Sequence, residues 1–245
     1  MYNMNEGQNI NNPVIIPWYL KKWGKVAISM GVLIIILVIA LFVLFTKVLN
    51  APKISDDITT ILTEDSLVKS EKRMLIERLD RPRLGNISAN LVIVEFADFQ
   101  CPACKKEFPI IREVVNRHLD DVLYIYRSYP VINDASSIIS EASLCASEQG
   151  KFWQMHDRLF IDSDLLSDIT NLNTIAQRAG LDINRFSQCV ISGKYASWVS
   201  EDMNLAYDLG ALGTPTFFIN GHKVQGVVSG DQWESLIAKY KTLAD

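Results

Sequence analysis

An uninterrupted run of apolar residues lies close to the N-terminus. Residues 26–45 carry no charged side chain, and a helix of that length, rising about 1.5 Å per residue, spans roughly 30 Å, the thickness of the hydrocarbon core of a bilayer. The pattern predicts a transmembrane anchor over residues 25–47. A cleaved signal peptide is the alternative, but the run is longer than the apolar part of such a peptide, and residues 48–51 form a poor cleavage site.

The flanks of this run predict its orientation. Three lysines lie within residues 21–25, whereas Lys47 and Lys53 follow the run. Positive residues gather on the cytoplasmic side of membrane spans, so we expect residues 1–24, which are polar and rich in Asn, to form a disordered cytoplasmic tail. The chain is then a single-pass membrane protein whose C-terminal part lies outside the cytoplasm.

A segment of mixed polarity separates the apolar run from the predicted folded part. Residues 48–83 are charged and mixed, with a candidate amphipathic helix near residues 67–79. Arg81 is expected to end that helix, because a residue before proline disfavours helical backbone. We interpret residues 48–83 as an extracytoplasmic stalk and residues 84–245 as the folded domain.

Within the folded domain the hydrophobic pattern alternates between strand-like and helix-like stretches. Residues 91–96 and 122–126 are apolar runs of strand length, and residues 102–119 between them place apolar side chains on one stripe of a helix. After a series of helices, Asn220-Gly221 is a strong signal for a hairpin turn. The last helix begins with Asp231-x-x-Glu234, the spacing of a capping box. The predicted order is β-α-β, a block of helices, and then α-β-β-α.

The composition excludes one class of partner and divides the cysteines into two kinds. With a net charge of −4 and no basic patch, the chain is not expected to bind nucleic acid. Four cysteines are too few for a small domain built on disulfides. Two of them form the motif Cys101-Pro-Ala-Cys104, whereas Cys145 and Cys189 stand alone, which suggests two separate roles.

The position of Cys101 matters more than the motif itself. It lies where the first strand ends and a helix begins, and the N-terminus of a helix stabilises a nearby thiolate and lowers its pKa. Lys105 and Lys106 add positive charge in the first turn, while Cys104 lies on the apolar stripe and is expected to be sheltered. One exposed, stabilised thiolate beside one sheltered thiol is what exchange through a mixed disulfide requires.

Two other interpretations of the Cys-x-x-Cys motif are weaker. A structural zinc site needs four ligands, and the remaining cysteines and the three histidines show no paired spacing, so we expect no metal. A purely structural short-range disulfide does not account for the position between a strand and a helix.

Three separated stretches of the chain resemble one family. Residues 94–104 (VEFADFQCPAC), residues 142–160 around EQGKFW, and residues 213–221 (GTPTFFING) are similar to DsbA-like proteins of the thioredoxin superfamily, in particular the membrane-anchored thiol oxidoreductases of the BdbD type. The resemblance runs from about residue 84 to the C-terminus. It implies an α/β, thioredoxin-like fold with an inserted helical subdomain at about residues 131–193, preceded by a single N-terminal transmembrane helix.

The resemblance also implies roles for individual residues. Cys101 matches the nucleophile that forms the mixed disulfide with substrate, and Cys104 matches its buried partner. Pro215 matches a cis-proline that packs against the cysteines, and Thr214 the variable residue before it, which tunes this loop. Glu95 matches a buried acid that relays a proton to Cys104. An ordinary trans-proline and a half-exposed strand carboxylate are the respective alternatives.

The two remaining cysteines leave two interpretations open. Cys145 and Cys189 each lie on the apolar face of a predicted helix, where buried free thiols are common. Some family members carry a structural disulfide in the helical insertion, and the resemblance favours that pairing here.

The function implied is that of a disulfide oxidase outside the cytoplasm, attached to a bacterial-type cell membrane. Its substrates are unfolded or secreted proteins with free thiols, and the family reoxidises its cysteines through a quinone-coupled membrane partner. Because Pro-Ala replaces a dipeptide that carries His in the strongest oxidants, we expect a milder oxidant. We expect no cofactor besides the Cys101–Cys104 disulfide. A reductase or isomerase, a redox-inert binding module and a metal-delivery protein are the alternatives.

Overall fold

The computed structural model of the protein describes residues 22–49 and 64–242. The chain divides into two units, Met1–Thr63 and Glu64–Asp245. Most of the predicted tail, residues 1–21, lies outside the described residues, as do residues 50–63 of the predicted stalk.

The described part of the first unit is one helix, α1 (Lys22–Leu49). Within it, Ser29–Lys47 is long and apolar enough to cross a membrane, and none of this window is buried in the protein. Its apolar side chains, such as Leu37 and Phe42, are exposed. The helix is apolar on every side, unlike a helix that covers a core with one face. A signal sequence near the N-terminus has the same length and composition, so α1 is compatible with the predicted span and with its alternative.

The described residues of the second unit form a five-stranded sheet in the order β1-β3-β2-β4-β5. The central strands β2 and β3 are parallel, whereas the other neighbouring pairs are antiparallel. The strands are β1 (Arg83–Gly85), β2 (Leu91–Ala97), β3 (Val122–Ser128), β4 (Thr216–Ile219) and β5 (His222–Gln225). Every residue of β2 and β3 is buried, which explains their continuous apolar character. The three-residue edge strand β1 was not predicted, because it is too short to show a period.

The hairpin between β4 and β5 forms where the sequence predicts it. Asn220 and Gly221 have φ angles of 47° and 82°, and positive φ at both central residues is what a type I′ turn requires. Asparagine and glycine tolerate this backbone better than other residues.

Helices cover both faces of the sheet. In chain order they are α2 (Glu64–Ile76), α3 (Pro102–Arg117), α4 (Asp134–Ser147), α5 (Phe152–Ile161), α6 (Leu172–Arg178), α7 (Ile183–Ile191), α8 (Ala196–Asp208) and α9 (Gly230–Thr242). Helices α3 and α9 pack on one face, where Trp233 is buried, and α2 and α8 pack on the other, around Ile76 and Ala206. Helices α4 to α7 form a separate core that continues to the two motif cysteines. They fall within the predicted insertion at residues 131–193.

The folded unit begins at Glu64, earlier than the sequence suggested. Ile76 at the end of α2 is fully buried, and the side chain of Arg81 is buried in ion pairs with Glu201 and Asp202 of α8, each at 2.9 Å. The interpretation of residues 48–83 as a stalk is therefore wrong for residues 64–83. The charges of this segment suggested solvent exposure. The buried guanidinium of Arg81, however, is paired with Glu201, which lies 120 positions away in the sequence.

Helix α9 is capped by a different pair from the one predicted. The Oε1 atom of Gln232 accepts the backbone N–H of Ser229 at 2.9 Å, and Oγ of Ser229 accepts the backbone N–H of Gln232 at 3.4 Å. The predicted capping box of Asp231 and Glu234 is wrong. Glu234 instead forms an ion pair with Arg117 of α3, with 2.9 Å between the charged atoms.

Candidate active site

Cys101 lies between the C-terminal end of β2 and the N-terminus of α3. Its backbone is extended, with φ −78° and ψ 121°, and it occupies the N-cap position. Pro102 begins the helix, a position where its missing N–H is not needed. The carbonyl of Cys101 accepts the N–H of Lys105 at 3.0 Å. The sulfur of Cys101 therefore lies at the helix end where backbone N–H groups have no helical acceptor.

This environment favours the thiolate form of Cys101. A hydrogen bond from the side chain of Cys104 is the main cause that lowers the pKa of Cys101 to about 5; burial opposes the shift, and the backbone N–H groups of Cys104 and Ala103 support it. A free cysteine has a pKa of about 8.5. Cys101 is therefore deprotonated at neutral pH.

Cys104 has the opposite character. It is fully buried, and burial raises the pKa of its thiol well above the ordinary value, with further contributions from its hydrogen bond to Cys101 and from the charge of Glu95. Both cysteines are free thiols in this structure. The pair thus combines one stabilised thiolate with one sheltered thiol. The predicted exposure of Cys101 is wrong, because the residue is 6% exposed and the carbonyl of Thr214 lies against its sulfur.

The loop before β4 completes the surroundings of Cys101. The peptide bond between Thr214 and Pro215 is cis. The carbonyl oxygen of Thr214 lies 3.3 Å from Sγ of Cys101 and accepts a hydrogen bond from its thiol form. The carbonyl of Pro215 accepts the N–H of Gly226 at 2.9 Å, which ties this loop to the end of β5. The fold thereby brings together residues 113 positions apart in the sequence.

Glu95 lies in the middle of β2 and is 2% exposed, which excludes a half-exposed carboxylate. Burial raises the pKa of its carboxyl to about 8, the charge of Glu107 adds to the shift, and the hydrogen bond from the Tyr124 hydroxyl opposes it. Such a carboxyl is mostly protonated at neutral pH. Because its charge acts on the pKa of Cys104, the two groups are close enough to influence each other's protonation.

Asp98 is a buried residue of the site that the sequence did not single out. Its carboxylate accepts three backbone hydrogen bonds, each 2.9 Å long, from Gln100, Val131 and Ile132. Its carbonyl accepts the N–H of Cys101 at 3.0 Å. Asp98 therefore fixes the loop that carries Cys101 against the segment that follows β3. An acidic residue directly after a buried strand was a visible signal, but the segment that it binds was not.

Glu107 is a second residue that was missed. It is fully buried on α3; its Oε1 accepts the indole N–H of Trp233 and its Oε2 accepts the backbone N–H of Val228, both at 2.7 Å. It follows Cys104 by three positions and precedes Ile111 by four, which places it on the apolar side of the helix. That spacing was the available signal.

The other two cysteines form a disulfide. Cys145 of α4 and Cys189 of α7 have Cα atoms 5.8 Å apart and are separated by 44 positions in the sequence. In the chain-entropy model a loop of that size contributes about 4 kcal/mol to the free energy of unfolding. The bond joins two helices of the insertion, as the resemblance implied, and it is separate from the motif pair.

The structure brings the residues predicted for catalysis to one place, where Thr214, Pro215 and Glu95 surround or adjoin Cys101 and Cys104. Within residues 22–49 and 64–242, no group of three or more His, Cys, Asp or Glu side chains is arranged to hold a metal ion. The arrangement can carry out thiol chemistry with its own side chains.

A family model described as thioredoxin matches residues 78–239, which is more than half of the chain. The chain belongs to the thioredoxin family. The matched residues contain the whole sheet and both motif cysteines, and the α/β fold is thioredoxin-like, as predicted.

Solved structures of similar proteins agree with this assignment. A thioredoxin-like oxidoreductase from Silicibacter pomeroyi is 26% identical, with a TM-score of 0.61 over 69% of this chain and 96% of that one. The α-DsbA1 protein of Wolbachia pipientis is 25% identical, with a TM-score of 0.63 over 71% and 96%. The thiol-disulfide exchange protein α-DsbA2 of the same organism is 23% identical, with a TM-score of 0.62 over 73% and 97%. The chain is thus similar to DsbA-like members of the thioredoxin family.

Curated relatives include longer proteins with a different name. A Na⁺/H⁺ antiporter NhaA 3 of Salinispora tropica is 35% identical over 144 residues, which are 58% of this chain and 22% of that protein. A Na⁺/H⁺ antiporter NhaA 1 of Mycolicibacterium vanbaalenii is 36% identical over 146 residues, 58% and 24% of the two chains. This chain therefore spans less than a quarter of the length of these two relatives.

Proposed function

We propose that this thioredoxin-family protein is a thiol–disulfide oxidoreductase that works outside the cytoplasm, as an oxidase of protein thiols. One observation carries the proposal. The Sγ atom of Cys101 lies at the start of a helix, 3.3 Å from the carbonyl oxygen of Thr214, and the thiol of Cys104 is buried behind it. Cys101 is 6% exposed and Cys104 is 0% exposed, so we infer that a substrate sulfur approaches the pair from the side of Cys101.

Oxidation of a substrate takes two exchanges that balance in atoms and electrons. A substrate thiolate attacks Sγ of Cys101 in the Cys101–Cys104 disulfide, a mixed disulfide forms, and Cys104 leaves as a thiolate. Because the pKa of Cys104 is well above normal, it takes the proton of the Glu95 carboxyl, which later regains one from solvent. A second substrate thiolate then attacks the substrate sulfur of the mixed disulfide and releases the Cys101 thiolate. Two electrons pass from the substrate thiols to the cysteine pair.

The low pKa of Cys101 favours this direction. Stabilising the thiolate stabilises the reduced protein, and a stabilised reduced form makes the disulfide the stronger oxidant. The Pro-Ala dipeptide supplies no histidine to strengthen the effect, so the expected oxidant is mild.

The proposal extends to the surroundings of the domain. We infer that α1 is a single-pass anchor in a bacterial-type cell membrane, that the folded domain lies outside, and that its substrates are unfolded or secreted proteins with free thiols. A quinone-coupled membrane partner would reoxidise the cysteines, and no organic cofactor is required. The apolar character of α1 and the DsbA-like relatives support this arrangement.

The test follows oxidation of a peptide that contains two thiols by the full chain in detergent. We expect Cys101→Ser to abolish oxidation. Given a peptide whose single thiol is already linked to glutathione, the Cys101 thiolate of Cys104→Ser should displace glutathione and stay bound to the peptide as a mixed disulfide, because no Cys104 thiol resolves it. Lys72→Ser, in the exposed part of α2, is the control and should behave like the unchanged protein. Oxidation that persists in Cys101→Ser would eliminate this cysteine as the nucleophile, and a reduction potential near that of thioredoxin, about −270 mV, would indicate a reductase instead.

A further inference from the structure

Two buried carboxyl groups lie on the side of the sheet that α3 and α9 cover. Glu95 of β2 pairs in register with Phe217 of β4. The ring of Phe217 packs edge to face against Trp233, with 4.9 Å between the ring centres, and Trp233 donates its indole N–H to Glu107. A continuous set of contacts therefore joins the acid near Cys104 to a second acid one helical turn further along α3.

The hydrogen bonds of the two carboxyl groups differ. Each oxygen of Glu107 accepts an N–H group, from Trp233 and from the backbone of Val228. An N–H group donates a hydrogen bond but cannot accept one. Both donors therefore suit an ionised carboxylate, and neither could accept a hydrogen bond from the O–H of a carboxylic acid. Among the described residues, Glu95 accepts one hydrogen bond, from Tyr124, and a tyrosine hydroxyl can also accept one. Burial raises the pKa of Glu107, and the hydrogen bonds from Trp233 and Val228 oppose that shift. The geometry of these two donors fits an ionised Glu107 beside a protonated Glu95.

Other groups that face Glu95 add no fixed negative charge at neutral pH. Tyr124 and Tyr126 lie on β3, where burial raises the pKa of both hydroxyls well above the usual value, so both are neutral. Cys104 on α3 is a neutral thiol, and β4 contributes the uncharged Phe217. A positive charge acts nearby, because Arg112 of α3 interacts with Tyr124. Burial is the main cause that raises the pKa of Glu95, and the charge of Glu107 adds to it. Among the groups named here, Glu107 is thus the charge that opposes ionisation of Glu95.

We propose that Glu107 is a positioning residue whose buried carboxylate, held by Trp233 and Val228, keeps Glu95 protonated and able to supply the proton that Cys104 takes up. The consequence for catalysis rests on the proposed thiol exchange. The protonation states themselves belong to the resting protein and are measurable without a substrate. Removing the charge of Glu107 lets Glu95 ionise at lower pH, so fewer molecules hold the proton that the leaving thiolate of Cys104 takes up near neutral pH.

The experiment follows the infrared carbonyl band of the Glu95 carboxylic acid across pH in the full chain in detergent, with Glu95→Gln to assign the band. The band of the unchanged protein should titrate near pH 8, following the pKa of Glu95. In Glu107→Gln we expect the midpoint to fall by about 1 pH unit, the size of effect that a close like charge produces. Glu113→Gln removes the same charge from an exposed position on α3, with the side chain 72% exposed, and should leave the midpoint unchanged.

A second route removes the same charge without altering Glu107. Trp233→Phe deletes one donor, so Glu107 takes up a proton more easily, and the Glu95 midpoint should again move down. Midpoints that stay in place in folded Glu107→Gln and Trp233→Phe would overturn the proposal. If neither variant folds, the indole N–H resonance of Trp233 in the unchanged protein decides. It should stay constant between about pH 5 and 9 if Glu107 remains ionised, and a titration within that range refutes the proposal.

The outcome for Glu107 can be separated from the outcome for the proposed function. Peptide oxidation that depends on Cys101, together with an unmoved Glu95 midpoint, rejects the role of Glu107 alone. A midpoint that moves as expected in a protein that oxidises no peptide supports the protonation states and rejects the exchange reaction. When oxidation depends on Cys101 and the Glu95 midpoint moves as expected, oxidation by Glu107→Gln should decline at a pH about 1 unit lower than in the unchanged protein and keep its rate below that pH.

Discussion

At the scale of single residues, the chemistry depends on how differently the protein treats two cysteines three positions apart. Cys101 lies at the start of a helix, where the hydrogen bond from Cys104 and, to a smaller extent, backbone N–H groups favour the thiolate. Cys104 lies one turn inside the core, where burial disfavours it. The motif alone does not create this difference. It follows from the place where β2 ends and α3 begins.

This difference predicts a reactivity profile for Cys101. With its pKa lowered to about 5, alkylation of the reduced protein by iodoacetamide should rise to half its maximum near pH 5 and stay level above pH 7. At pH 7 the thiolate fraction is roughly thirtyfold that of a free cysteine with a pKa of 8.5. In Cys104→Ala the main hydrogen bond to the thiolate is lost, so the midpoint should move to higher pH. A midpoint in the ordinary range for cysteine in the unchanged protein would contradict the structure.

The sequence identified some residues of the site and missed others. The two sets differ in whether their signal lies in neighbouring residues or in hydrogen-bond donors far along the chain. Cys101 and Cys104 carry their signal locally, in their spacing and in the change from strand to helix. Asp98 and Glu107 are ordinary acids until the fold supplies the backbone of Val131 or the indole of Trp233, far along the chain. Buried carboxylates are expensive without such donors, and no local pattern reveals which acid will find them.

At the scale of elements, the site depends on loops that a neighbouring segment holds in place. The loop that carries Cys101 is fixed by the carboxylate of Asp98, which binds the segment between β3 and α4. The side chain of Gln100 continues this link, accepting a hydrogen bond from Ser136 of α4 at 3.0 Å. The helical insertion is thus joined to the cysteine loop by polar contacts as well as by its apolar core.

Asp98→Ala tests this link. The substitution leaves three backbone N–H groups in part-buried positions without their acceptor. We expect the free energy of unfolding to fall by about 3 kcal/mol, since an unsatisfied group costs about 1–3 kcal/mol when buried and solvent will satisfy part of this set. Urea unfolding of the oxidised protein measures the loss. Asp164→Ala, at a side chain that is 95% exposed, is the matched control and should change stability by less than about 0.5 kcal/mol. Equal midpoints for the two variants would show that Asp98 does not hold the loop.

At the scale of the whole molecule, the folded domain includes residues 64–83, although their charged composition suggested a stalk. Arg81 and Arg127 share the carboxylate of Asp202, with N–O distances of 2.9 and 2.6 Å, and the backbone N–H of Ser128 donates to its other oxygen. The main strands and helices were predictable because their hydrophobic periods are strong. The boundary of the domain was not, because buried ion pairs look like surface charges in a sequence.

Two fragments test whether the folded domain begins at residue 64 or at residue 84. Residues 64–245 keep α2 and Arg81, whereas residues 84–245 lose the buried side chain of Ile76 and one of the two arginines on Asp202. We expect the shorter fragment to be less stable in urea by about 4 kcal/mol, because burial of an isoleucine contributes about 2–3 kcal/mol and a buried carboxylate that loses one partner costs more still. The longer fragment with Ile76→Ala and Arg81→Ala retains the segment but not these contacts, so it should lose most of the same stability. If this double variant is as stable as the unchanged longer fragment while the shorter fragment is destabilised, residues 64–83 stabilise the domain through other contacts. Equal stability of the two fragments would support the interpretation of residues 64–83 as a stalk.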